Sequence, residues 1–114
     1  MRERELAIFA VLAYSPNAYA LYAHNKLGEK VGFSASQIAD ALAGKVPEGL
    51  PEREEATYIL SGELTRIRGP LSKESFDKAS KVLGEEGVAG VIHTTGAFLY
   101  SSILLNAADV PAPE

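Results

Sequence analysis

The chain has 114 residues, 46% of them hydrophobic and 23% charged, which is the balance of a single soluble domain large enough to bury a core. A net charge of −4, with Lys and Arg scattered along the sequence, argues against nucleic acid as a partner. The lack of cysteine excludes disulfides, thiolate catalysis and cysteine-ligated metals, and two histidines without a metal-ligand spacing give no metal site.

In chain order the pattern predicts helices throughout. Helix one runs from about Glu3 to Tyr14 and is apolar on nearly every side, as a buried helix is. Its start resembles a leader peptide, but Glu3 and Glu5 spoil the basic beginning and the apolar run is short. No signal peptide is therefore expected, and the cytoplasm is the expected location. Ser15 and Pro16 read as the N-cap and first position of helix two, which continues to about Val31 with Gly32 as its C-cap. Ser34 to Gln37 is a capping box opening helix three, which turns Ile38, Ala41 and Leu42 inward and stops at Gly44.

Lys45 to Leu50 is a loop. Pro51 starts helix four, with Glu52, Glu54 and Glu55 at its positive dipole end and Ala56, Leu60, Leu64 and Ile67 as its inner face. Gly69-Pro70 breaks it. Ser72 caps helix five, in which Phe76, Ala79, Val82 and Leu83 pack, and Gly84 ends it. Helix six runs from about Glu85 to Asn106. Its stretch from Gly87 to Leu105 carries no formal charge and is just long enough to span a bilayer, but its glycines, threonines, serines and His93 favour a buried helix over a membrane span. Residues 1–108 thus form one all-α domain of about six helices, followed by an extended tail at 109–114.

Helix six also carries a small-residue stripe, Gly87, Gly90, Thr94, Ala97 and Ser101, which suits close backbone approach either within the subunit or between subunits. Helices one and six are apolar on all sides, and a domain of this size is not expected to bury both. A homo-oligomer is therefore expected.

Two residues carry the best chemistry. His24 shares a helical stripe with Leu21, Gly28 and Val31, so it faces inward. A buried imidazole must be hydrogen-bonded, and it then serves either as a satisfied core residue or as a proton carrier. Glu5 opens the apolar run Leu6 to Ala13, either as a favourable first-turn carboxylate or as a partly desolvated acid fit for proton transfer. Glu5 lies about ten residues before the Ser15-Pro16 turn and His24 about eight after it, so antiparallel packing brings them to similar depth at a rise of about 1.5 Å per residue. An apolar cavity beside this pair is expected, with Tyr22, His93 and Tyr100 as candidate lining residues. Tyr19 is a further pocket or interface aromatic, and Asn17 either binds a ligand carboxylate near a helix N-terminus or simply starts the helix.

The order of elements resembles the carboxymuconolactone decarboxylase family, which shares its helical fold with the alkylhydroperoxidase D group. The residues that carry the resemblance are Arg4-Glu5-Leu6, then Tyr19 and His24, then Gly32-Phe33-Ser34. Gly69-Pro70-Leu71-Ser72 and the ending from Leu104 to Pro111 add to it. It covers nearly the whole chain. In the peroxidase branch a glutamate and a histidine flank a C-x-x-C pair. Here Glu5 and His24 take the relay positions, while Asn17 and Ala20 stand where the cysteines would be. The resemblance therefore implies the cysteine-less branch, without dithiol peroxidase activity. Family members usually carry helices before the Arg-Glu-Leu segment. Either such a portion precedes Met1 naturally, or another subunit closes the pocket.

The resemblance and the Glu5–His24 pair together imply a cofactor-free acid–base enzyme. It would be a decarboxylase-like lyase acting on a small oxygenated carboxylic acid or lactone, with Glu5 and His24 as catalytic residues. Asn17, Tyr19, Tyr22, His93 and Tyr100 would contact the substrate. The resemblance implies a homo-trimer or hexamer, with no nucleic acid or membrane as partner. The competing reading is a non-catalytic oligomer of the same fold that binds a small molecule or serves as a scaffold.

Overall fold

A computed structural model describes residues 1–114 as five helices with no strand. They are α1 (Arg2–Tyr14), α2 (Ala18–Lys30), α3 (Ala35–Leu42), α4 (Glu52–Arg66) and α5 (Lys73–Ala107). Inside α5 the backbone leaves the helix at Gly84, with φ 75° and ψ 170°, so the element is two arms, 73–83 and 85–107. The two arms correspond to the fifth and sixth helices expected. A positive φ is what glycine adopts without penalty, which is why the break falls there.

α1 lies at the centre and packs against every other helix. Every residue from Glu5 to Leu12 is buried. Leu6, Phe9 and Ala10 join Phe33, Ile38, Ala41 and Tyr58 in one cluster; Ile8 and Leu12 join Ala20 in another. A third cluster, Leu60, Ala79, Leu83, Val88 and Val91, joins α4 to both arms of α5.

α4 meets its neighbours through hydroxyls as well as hydrocarbon. Thr57, Ser61 and Thr65 recur every fourth residue and are buried, unlike the half-buried Ala56 and Leu64 expected on the inner face. Thr57 and Thr65 donate to the carbonyls one turn back, Arg53 and Ser61. Ser61 Oγ lies 2.8 Å from the Ala7 carbonyl and 2.8 Å from Thr95 Oγ1. Small hydroxyls that satisfy themselves locally let two helices approach without orphaned polar groups.

Most of the cap chemistry matches. Ser34 and Gln37 close a reciprocal capping box, Ser72 accepts from Ser75 N, and Gly32 follows the end of α2 at φ 99°. One cap differs. Ser15 ends α1, and Asn17 rather than Ser15 caps α2, its Oδ1 accepting from Ala20 N at 2.9 Å. An Asx side chain reaches the N3 amide as well as a serine does, and Pro16 sits outside the helix.

Helix 85–107 departs most from expectation. It is not a buried helix. Its inward residues are Val88, Val91, Thr95 and Ser102, while Phe98 is half-buried. The small-residue stripe lies one position out of phase with them. Phe76, expected to pack, is exposed.

Candidate functional site

α1 and α2 fold back on each other across Ser15 to Asn17, which brings the two chemistry-bearing residues together. His24 Nδ1 lies 2.7 Å from Glu5 Oε1. A carboxylate is acceptor-only, so Nδ1–H donates and Nε2 becomes the reactive nitrogen of the neutral ring. No group of the chain hydrogen-bonds Nε2. The Glu5 side chain is 1% exposed and that of His24 11% exposed. The Phe98 edge stands against the imidazole, ring centroids 5.6 Å apart at 87°.

The pair is not self-satisfied. Glu5 Oε2 is buried and has no hydrogen-bond partner. Its nearest cation is Arg4 Nη1 at 3.6 Å, beyond hydrogen-bond distance, and the Arg4 guanidinium sits 5.2 Å from the centre of the Phe98 ring. A buried carboxylate oxygen without a donor is costly in a folded protein and marks a place where a proton or a ligand donor is wanted.

The other expected site residues are not gathered around the pair. Tyr19, Tyr22, His93 and Tyr100 are on the surface of the subunit. Tyr22 accepts from Lys26 Nζ at 2.9 Å, a surface pair that raises the Lys26 pKa through that hydrogen bond. Asn17 is buried: beyond its cap bond, its Nδ2 donates to Ser102 Oγ at 2.8 Å, tying the start of α2 to the end of helix 85–107. Its polar atoms are thus already engaged within the chain.

Two cavities stand out, and neither is lined by Glu5 or His24. One, of about 310 Å³, lies between α4 and the 73–83 arm. The other, of about 200 Å³, lies where α1, α4 and helix 85–107 meet, with Arg4 and Arg53 on its wall. Sequence reasoning missed Arg4 and Phe98 as neighbours of the pair. The signal for Phe98 was its helical spacing from Val91, Thr95 and Ser102; Arg4 carried none beyond its place beside Glu5.

No protein-family model, curated protein or solved structure matches the chain. The resemblance to the carboxymuconolactone decarboxylase family rests on the residues quoted for it.

Proposed function

We propose that this chain is a cofactor-free acid–base catalyst of the carboxymuconolactone decarboxylase type, acting by proton transfer on a small oxygenated carboxylic acid or lactone. The observation that carries the reading is the 2.7 Å Glu5–His24 bond between side chains almost withdrawn from water, with Glu5 Oε2 and His24 Nε2 left without hydrogen-bond partners. Glu5 orients the ring and stabilises its cation, and Nε2 exchanges a proton with the substrate. In a decarboxylation the C–CO₂ bond breaks and the electron pair moves into a carbonyl of the substrate; the ring, having first taken a proton from solvent at Nε2, delivers it to the carbon that lost carbon dioxide and returns to the neutral form with Nδ1–H on Glu5.

The runner-up is a structural pair in a scaffold or binding protein. It is favoured by one observation: neither described cavity is lined by either side chain. One experiment separates the two readings. Small 2-oxo acids, unsaturated carboxylic acids and lactones are screened for turnover by proton NMR, and any reaction found is repeated with Glu5→Gln and His24→Ala. Each variant is expected to stay folded by circular dichroism and lose about a hundredfold or more of turnover, the size of a general acid–base contribution. Folded variants at full activity would make the pair structural.

The proposed assembly is a homo-oligomer, with threefold order implied by the resemblance. Its support is the outer face of helix 85–107, where Ile92, Tyr100, Ile103 and Leu104 stand 46%, 67%, 60% and 54% exposed on a stretch with no formal charge. Gly96 and Ala97 between them let a second helix approach closely.

A further inference from the structure

We propose that the 200 Å³ pocket between α1, α4 and helix 85–107 is an anion site that takes the carboxylate of a small organic acid, with Arg4 as its anchor. The role of this anion as substrate rests on the acid–base reading above; its binding does not.

Three observations meet here. The pocket wall carries two guanidinium groups, Arg4 and Arg53, against one carboxylate, Glu3. Glu3 is already held by Arg53, whose Nη2 lies 3.2 Å from its Oε1. Arg53 Nη1 also points at the carbonyls of Val82 and Leu83, at 3.5 and 3.4 Å, where the 73–83 arm ends at the Gly84 break. Arg53 is thus a fixed wall that closes a helix terminus. Arg4 is different. It makes no hydrogen bond to a carboxylate, and its one acidic neighbour, Glu5 Oε2, stays at 3.6 Å. Arg4 is ion-paired with Glu5 at that distance but donates no hydrogen bond, so its N–H groups are open to a ligand, and a guanidinium suits a carboxylate because its parallel N–H groups meet both oxygens.

The floor of the pocket is backbone. Gly87 and Gly90 line it, and a Cβ built on Gly90 would meet nothing within 4 Å. That open space is the volume a ligand would fill. Thr94 adds a hydroxyl one turn further along, and Phe98 follows one turn beyond that, against His24 and under the Arg4 guanidinium. The row Gly90, Thr94, Phe98 therefore runs from the pocket wall towards the imidazole, and Arg4 both lines the pocket and lies over the Phe98 ring. Neither Glu5 nor His24 lines the pocket itself, so an acid anchored by Arg4 would have to extend along that row to reach the imidazole.

The energetics fit a small anion. A carboxylate at Arg4 gains a charge-assisted, bidentate pair in a partly desolvated site.

Succinate is the probe, with its neutral diamide as control. Isothermal titration on the wild-type chain is expected to show millimolar succinate binding and none for the diamide. Arg4→Gln should weaken succinate by about tenfold or more, the loss of one charge-assisted bond, and Arg4→Lys should recover part of it. Gly90→Leu tests the place without touching charge: its side chain enters the open space on a helical backbone, so the fold should hold and binding should vanish. His24→Gln should leave binding within a factor of about two. Undetectable succinate binding by the wild type, or unchanged binding in either Arg4→Gln or Gly90→Leu, overturns the proposal. The ring-nitrogen resonances of His24 separate the two readings. If succinate binds through Arg4 and Gly90 but leaves those resonances unmoved, the anion site stands and the acid–base reading falls.

Discussion

α1 and helix 85–107 both carry apolar residues on most sides, and the fold treats them oppositely. α1 is walled in by four other helices, with every residue from Glu5 to Leu12 buried. Helix 85–107 rests on α1 and α4 along one side, with a face of isoleucine, leucine and tyrosine open to water. An all-round apolar helix needs more partner surface than one neighbour supplies, and a domain of this size has enough for a single such helix. The first helix stabilises the subunit; the second leaves a surface for association.

The sharpest way to break this contrast is to set a substitution in the buried heart of α1 beside one on the open face of helix 85–107. Phe9, 1% exposed, packs edge-on against Phe33 at 6.1 Å. Phe9→Ala should cost about 3–5 kcal/mol, a large part of the stability of a small domain, and lower the thermal midpoint accordingly in a melting experiment.

A middle-sized effect comes from Tyr58, which is buried in the same cluster and donates to the Ala41 carbonyl at 2.6 Å. Burial pushes its pKa up to about 12 from an ordinary value of 10.0. The folded state thus keeps a proton that the unfolded chain loses first. The associated stability is complete below about pH 10 and is lost as pH rises towards 12. Tyr58→Phe should cost about 1 kcal/mol at neutral pH and flatten that alkaline decline in denaturant titrations.

The smallest change in subunit stability, under about 0.5 kcal/mol, is expected for Ile103→Lys on the open face of helix 85–107. Its consequence should appear elsewhere: light scattering is expected to show wild-type oligomers and a monomeric variant. A variant that unfolds instead would show that the face is part of the core after all.

How much was legible in the sequence obeys the same divide. The Ser34–Gln37 box, the Ser72 cap and the Gly84 break could be read because each depends on chemistry within a few residues. The Glu5–His24 approach could be read because one short turn sets the register of two helices. His93 and Tyr100 were misplaced for a physical reason. On a helix apolar all round, the pattern sets no rotational phase, so a stripe one residue away from the true inner face fits equally well. The Thr57, Ser61 and Thr65 seam was hidden because hydroxyl residues read as surface until their local carbonyl acceptors are seen. Asn17 starts the helix, as one of its two readings had it, but the cap was placed at Ser15, since Ser15-Pro16 and Pro16-Asn17 offer equally good starts for α2.

The interruption at Gly84 also divides the molecule dynamically. The arm before it, 73–83, buries only Ala79 and Leu83, and it is joined to the longer arm through a residue at φ 75° rather than through continuous helical hydrogen bonding. Arg53, bonded to Val82 and Leu83 from one side and Glu3 from the other, latches the joint. Such an arm can peel from α4 as a separate cooperative unit at much lower cost than global unfolding, while helix 85–107 stays seated on α1. In a hydrogen-exchange experiment the amides of residues 73–83 are therefore expected to exchange faster than those of α1.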